Sequence, residues 1–227
     1  MQRIHLIIAA AAAFIAIPAS AQYAPQWYVG IGGGQSKTSD DIVSQRESTV
    51  TNGHATGSTF DDNDGAWKVF GGWQVNPMFA LEAYYADLGR THLVTNTATN
   101  SGLTGTFDMT RKVDGFGLDA IVQGRFAPAF SVFARGGGFA SHTKADATVS
   151  GSLVFNSDPT ATSKSNTDNK GVWHYGVGAE WGFQPNAALR LEWERFAKVG
   201  KAFEVGQSGT TGEADADLVT LSVLMRF

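Results

Sequence analysis

Glu82, Glu180 and Arg190 stand at equal distances from two prolines. Glu82 lies five residues after Pro77, Glu180 five before Pro185 and Arg190 five after Pro185. Arg135 follows Pro128 by seven residues, and Lys68 precedes Pro77 by nine. Each interrupts an apolar, aromatic or glycine-rich run, as Glu82 does in "VNPMFALEAYYADLG". A carboxylate shielded from water must find a partner, because unpaired burial shifts its protonation or weakens the fold. Acids and bases at matched spacing therefore predict an ion-pair cluster of Glu82, Glu180, Arg190 and Arg135, with Lys68 higher. Arg190 is the expected hub, since a guanidinium fork can serve two carboxylates.

Other chemistry has weaker support. His54, His92 and His142 fall in three polar segments without metal-ligand spacing. "FDDNDG" at 60–65 has the look of a calcium loop, but its glycine comes one position early and no Glu follows at the required spacing. His174 shares the parity of the charged residues, yet no Ser stands beside it as a nucleophile. Neither an enzyme nor a bound cofactor or metal is expected. The chain has no cysteine, which excludes disulfides, thiolate metal sites and a cysteine nucleophile. Its net charge of −4 argues against a nucleic-acid partner.

The elements that position these side chains are strands. Period-two alternation marks eight segments, near 26–37, 65–75, 78–89, 113–126, 129–141, 172–184, 187–197 and 217–227. Three connections are tight and carry Pro77, Pro128 and Pro185. Proline cannot donate to a ladder and so marks turns. The other four connections, 39–64, 90–112, 142–171 and 198–216, are long and rich in Ser, Thr, Asn, Asp and Gly. One parity carries Trp27, Val29 and Ile31, Leu118 and Val122, Val177 and Trp181, Leu221 and Val223. The opposite parity carries Lys68, Glu82, Asp119, Arg125, Arg135, Glu180, Arg190, Glu192, Glu194 and Arg226. A soluble barrel needs the reverse, an apolar interior and a wet exterior. Short turns at one end, long loops at the other and an uncharged aromatic wall fit an all-β, eight-stranded antiparallel up-and-down transmembrane β-barrel, with short periplasmic turns and long extracellular loops. Closure leaves no unpaired strand edge in lipid.

The first 21 residues have Arg3, a twelve-residue apolar stretch and small residues at Ala19 and Ala21. This predicts a secretory signal peptide over 1–21, cleaved after Ala21, and a barrel domain over 22–227. Twelve residues are too short to cross roughly 30 Å of hydrocarbon as a helix.

"GGWQVNPMFALEAYYADLGR", "GVGAEWGFQP" and "ALRLEWERF" resemble the OmpA transmembrane-domain family of eight-stranded outer-membrane barrels. The resemblance extends from about Gln26 to Phe227. It implies a lumenal ion-pair cluster at Glu82, Glu180 and Arg190. The family's lumenal Lys on the fourth strand falls near Ile121, so that partner is missing. It also implies that Phe227, on the lipid-facing parity of the last strand, acts as a terminal assembly signal. No periplasmic peptidoglycan-binding domain is expected after it. The expected role is structural and surface-interacting, with a filled lumen and extracellular loops as the binding surface. The alternative is a narrow, gated or low-conductance pore. Expected partners are outer-membrane lipids and lipopolysaccharide, the barrel-assembly machinery, and host or surface ligands at the loops. The expected location is the cell outer membrane.

Overall fold

The computed structural model describes residues 26–38, 53–61, 63–99, 102–155, 158–199 and 214–227. The signal peptide expected over 1–21 lies outside these residues. The described strands are β1 (Gln26–Thr38), β2 (Gly53–Asp61), β3 (Asn63–Gln74), β4 (Phe79–Thr99), β5 (Thr104–Ala127), β6 (Phe130–Gly151), β7 (Ser163–Gln184), β8 (Ala187–Val199) and β9 (Ala214–Arg226). Strands β3 to β9 form an antiparallel meander, and β1 bridges β3 and β9 to close it. Eight strands thus make the barrel wall. The ninth, β2, pairs only with the outer end of β4.

The proline turns fold as their residues dictate. Asn76 Oδ1 accepts hydrogen bonds from the Met78 and Phe79 amides at 2.8 and 2.9 Å. Such an Asx turn reverses the chain without help from the proline nitrogen. Ala127 to Phe130 and Gln184 to Ala187 close equally tight hairpins.

Two of the four expected loops are largely strand. β4 to β7 run for 21, 24, 22 and 22 residues, about twice the ten or so that a tilted strand needs to cross a bilayer. Residues 90–99, 104–112, 142–151 and 163–171 continue the wall beyond the membrane. Their outer face meets water rather than lipid, so it is polar and the strand signal is masked by Ser, Thr and Asn. The inner face keeps its alternation. Leu93, Phe107, Met109, Ala147 and Val149 are buried there, and Leu153 and Phe155 fold back onto them.

Within the membrane band the two faces separate by parity. Trp27, Val29, Ile31, Leu118, Val177, Leu191 and Leu221 are exposed. Lys68, Glu82, Asp119, Arg135, Glu180, Arg190, Glu192 and Glu194 are buried. Leu221 sits between Gly33 and Leu191 on the lipid face, away from both rims. Leu221→Arg is expected to lower refolding stability in lipid by about 2–4 kcal/mol. Urea titration in vesicles measures it, and a native midpoint would remove Leu221 from the lipid face.

Large lumenal rings are seated over glycines of the neighbouring strand. The register sets Tyr28 opposite Gly72, Phe70 opposite Gly30, Tyr84 opposite Gly117 and Phe133 opposite Gly178. A Cβ built on Gly72 would lie 2.0 Å from the Tyr28 ring, and one on Gly117 2.1 Å from the Tyr84 ring. Alternating large and absent side chains lets eight strands fill a lumen just wide enough for side chains.

Candidate functional site: the lumenal ion-pair network

Counting from the nearest proline sorts the lumenal charges into layers. Glu82, Glu180 and Arg190 lie five residues away. Arg135 and Glu192 lie seven away, and Lys68, Asp119 and Glu194 nine. His174 lies eleven away. Alternation points all of them inward, and equal counts bring them to similar heights.

In the lowest layer Arg190 bridges two acids. Its Nη1 donates to Glu82 at 2.6 Å, and Nη2 donates to Glu180 at 3.2 Å. Arg226, from the last strand, also pairs with Glu180. The Tyr28 hydroxyl crosses over Gly72 and donates to Glu82 at 2.9 Å. The Arg190 guanidinium is packed among the rings of Tyr28, Phe70 and Phe133, 4.9 to 5.3 Å from their centres.

The middle layer corrects the expectation of an Arg190 hub. Arg135 touches four carboxylates: Glu82 at 2.9 Å, Asp119 at 2.6 Å, Glu192 at 2.8 Å and Glu194 at 3.2 Å. It projects from the centre of the wall, between layers, whereas Arg190 holds Glu82 and Glu180 and approaches Glu192 only to 4.0 Å. Lys68 reaches across the lumen to Glu192 at 2.6 Å and Glu194 at 2.9 Å. It therefore belongs to the upper part of the network.

His174 completes the network. Its Nδ1 lies 2.9 Å from Asp119 and its Nε2 3.3 Å from Glu194. Among the described residues the lumen holds five buried carboxylates, Glu82, Asp119, Glu180, Glu192 and Glu194. Lys68, Arg135, Arg190 and Arg226 supply the cations of this network, and Arg111, buried higher in the lumen, donates to the Val199 carbonyl at 2.6 Å. Above this layer Phe139 and Phe196 meet ring to ring at 4.8 Å, and Tyr84 stacks on Phe139 at 6.0 Å. His174 lies 4.3 Å from Phe196. The charged layers are thus capped by an aromatic tier.

All five charged residues singled out from spacing, Lys68, Glu82, Arg135, Glu180 and Arg190, lie in this one network. Asp119, His174, Glu192, Glu194, Arg226 and Tyr28 join them and were not assigned to it. Counts from the proline turns could have found most of these. Ile121 is buried, and its register partner Arg135 meets the acids. Phe227 extends the ladder: its amide donates to the Trp27 carbonyl at 3.0 Å, and its carbonyl accepts from the Trp27 amide at 3.2 Å.

The weaker candidates do not converge. His92 pairs with Asp108 at 2.9 Å and His142 with Asn169 at 2.7 Å, both on the exposed face. The His54 side chain lies outside the described residues. Among the described residues, no group of three or more His, Asp or Glu is placed to hold a metal ion. Asp64 and Asp61, in the calcium-like stretch, instead accept from the nearby amides of Gly65 and Asn63.

Residues 22–227 match the family described as the OmpA-like transmembrane domain. The chain belongs to that family. It is 27% identical over 223 residues to outer membrane protein A of Shigella flexneri. That similarity covers 97% of the chain and 55% of the relative, so the chain spans about half the length of the curated relative it matches. Among solved structures, it is similar to Neisserial surface protein A, at 12% identity with a TM-score of 0.48, covering 90% of this chain and 100% of that one. It is also similar to Ail of Yersinia pestis, solved with the heparin analogue sucrose octasulfate, at 14% identity with a TM-score of 0.46. That likeness covers 89% of this chain and 99% of Ail. The protein is an outer-membrane β-barrel of this family, with a buried ion-pair network inside.

Proposed function

We propose that the protein is a closed structural barrel whose lumen is a plug and whose extracellular sheet is a binding surface. The observation that carries this reading is the filling of the lumen. Five buried carboxylates are held by Lys68, Arg135, Arg190, Arg226 and His174 across successive layers, beneath a tier of packed rings. A permeation path would need a layer to part, and each layer is bound to the next through Arg135 or Glu82. The network is a structural fastening here and not a catalytic constellation: His174 faces two carboxylates and lies away from lipid. In this reading residues 1–21 direct export and are removed, and residues 22–227 form the mature barrel.

Planar-bilayer recording of the refolded protein tests the plug. The expected result is a silent membrane. Reproducible channels that vanish when a lumenal residue is changed would replace this reading with that of a narrow pore. Gly72 is unsuited to that experiment, since any side chain there collides with Tyr28. Ser222→Leu, on the last strand, is the better lumenal substitution. Heat-modifiable migration with membrane fractionation tests the folded location. N-terminal sequencing of the mature protein tests cleavage after Ala21, and an intact Met1 would sink that part.

A further inference from the structure

The outward face of β4, β5 and β6 carries three cations in one row. Arg90 is the register partner of Lys112, and Lys112 of Lys144. The irregularity between Asp87 and Arg90, where Gly89 has φ 80°, turns Arg90 to the outside. Like charges directly opposite one another weaken a sheet, so strand pairing alone does not favour this row. The side chains of Lys112 and Lys144 are 40% and 56% exposed. Five carboxylates stand nearby, and each has a contact: Asp64 accepts from the Arg90 amide at 2.6 Å. Asp87 pairs with Lys112 at 3.0 Å, and Asp146 lies 3.5 Å from Lys144. Asp114 accepts from the Tyr85 hydroxyl at 2.9 Å, and Asp108 contacts His92.

Four to six residues below the row along β6, past the level of His142, Asp114 and Asp87, the wall is notched. Gly138 lies between Leu118 of β5 and Trp173 of β7, and Ala140 between Phe116 and Gly171. A Cβ added at Gly138 would meet nothing within 4 Å. The walls stand high: Trp173 is 78% and Phe116 68% exposed. The strands that carry these walls are two spacings apart, about 10 Å, which leaves room for a hydrocarbon chain over the glycine floor.

We propose that this notch and the cations above it bind a phosphorylated glycolipid of the outer leaflet. The acyl chain lies over Gly138 between Trp173 and Leu118, and the phosphate meets Lys112, Lys144 and Arg90. This inference rests on the outer-membrane placement of the barrel and is independent of whether the lumen conducts. Aromatic side chains occupy the membrane interface, and cations just outside it face the headgroup layer. The charge row and the notch arise separately, one from register and one from missing side chains, and together they match the two ends of one amphiphile.

The test uses the refolded barrel in phosphatidylcholine nanodiscs that also contain either bis-phosphorylated lipid A or the same lipid with its phosphates removed. Glycolipid retained per barrel is measured by mass spectrometry after exchange against excess phosphatidylcholine. The native barrel is expected to retain the phosphorylated form over the dephosphorylated one. Arg90→Gln, Lys112→Gln and Lys144→Gln together are expected to erase that preference, by up to about fivefold per cation. Gly138→Leu is expected to lower retention of both forms. Heat-modifiable migration checks folding, and Lys144→Gln alone is read where the triple variant fails to fold. Equal retention of both lipids by the native barrel, or native retention by the folded cation variants, would overturn the proposal. So would a dimer in phosphatidylcholine alone that Gly138→Leu abolishes, because it would assign the notch to a second copy.

Discussion

Arg135→Ala will unfold in urea well before the native barrel, with a loss of about 3–5 kcal/mol, the range for breaking a buried pair by removing one partner. Arg135 meets Glu82, Asp119, Glu192 and Glu194. Truncation leaves those carboxylates facing one another with Lys68, Arg190 and His174 as their remaining partners. Arg190→Ala will cost less, because Glu82 keeps Arg135 and Glu180 keeps Arg226. Glu82→Gln will cost least, because it removes one charge and leaves a side chain that still hydrogen-bonds. The order Arg135→Ala, Arg190→Ala, Glu82→Gln is therefore the expected ranking of urea midpoints in the same lipid. Equal midpoints for Arg135→Ala and Glu82→Gln would mean that the charges act as separate pairs rather than as one network.

Gly72→Ala will destabilise the barrel by about 1–3 kcal/mol, the cost of overpacking a filled interior. The new Cβ would lie 2.0 Å from the Tyr28 ring and 2.2 Å from its hydroxyl. Tyr28 cannot retreat without giving up its bond to Glu82. The same change at Gly33, on the lipid face, meets no atom nearer than 3.8 Å and should be close to neutral. A double-mutant cycle isolates the cause. In a Tyr28→Leu background the collision is gone, so Gly72→Ala should cost much less. An undiminished cost there would place the strain in the backbone of β3 and not in the ring over the glycine.

The resemblance and the alternation pointed to one architecture, and the lumenal glycines explain why the alternation was readable. Charges and glycines share the inward parity because a ring such as Tyr28 or Tyr84 needs a gap beside it. Across the membrane band that leaves the outward parity apolar, a pattern visible strand by strand. The pattern faded above the membrane. Phe107, Met109, Ala145 and Ala147 still alternate, but their outward neighbours are Thr, Asp and Lys facing water. Polar composition there looked like loop, and hydrogen bonding made it strand.

Residue order alone determined which side chains point inward, where the three proline turns fall and how far each charge lies from its rim. These are local properties: a strand alternates with period two whatever its neighbours are. The tertiary structure decided which charges meet. Lys68 and Glu194 are 126 residues apart, on strands that face one another across the lumen. Their contact exists only because β1 joins β3 to β9 and closes the wall. Closure also moved the centre of the network from Arg190 to Arg135, since a central guanidinium reaches acids from several strands and one near the rim reaches few.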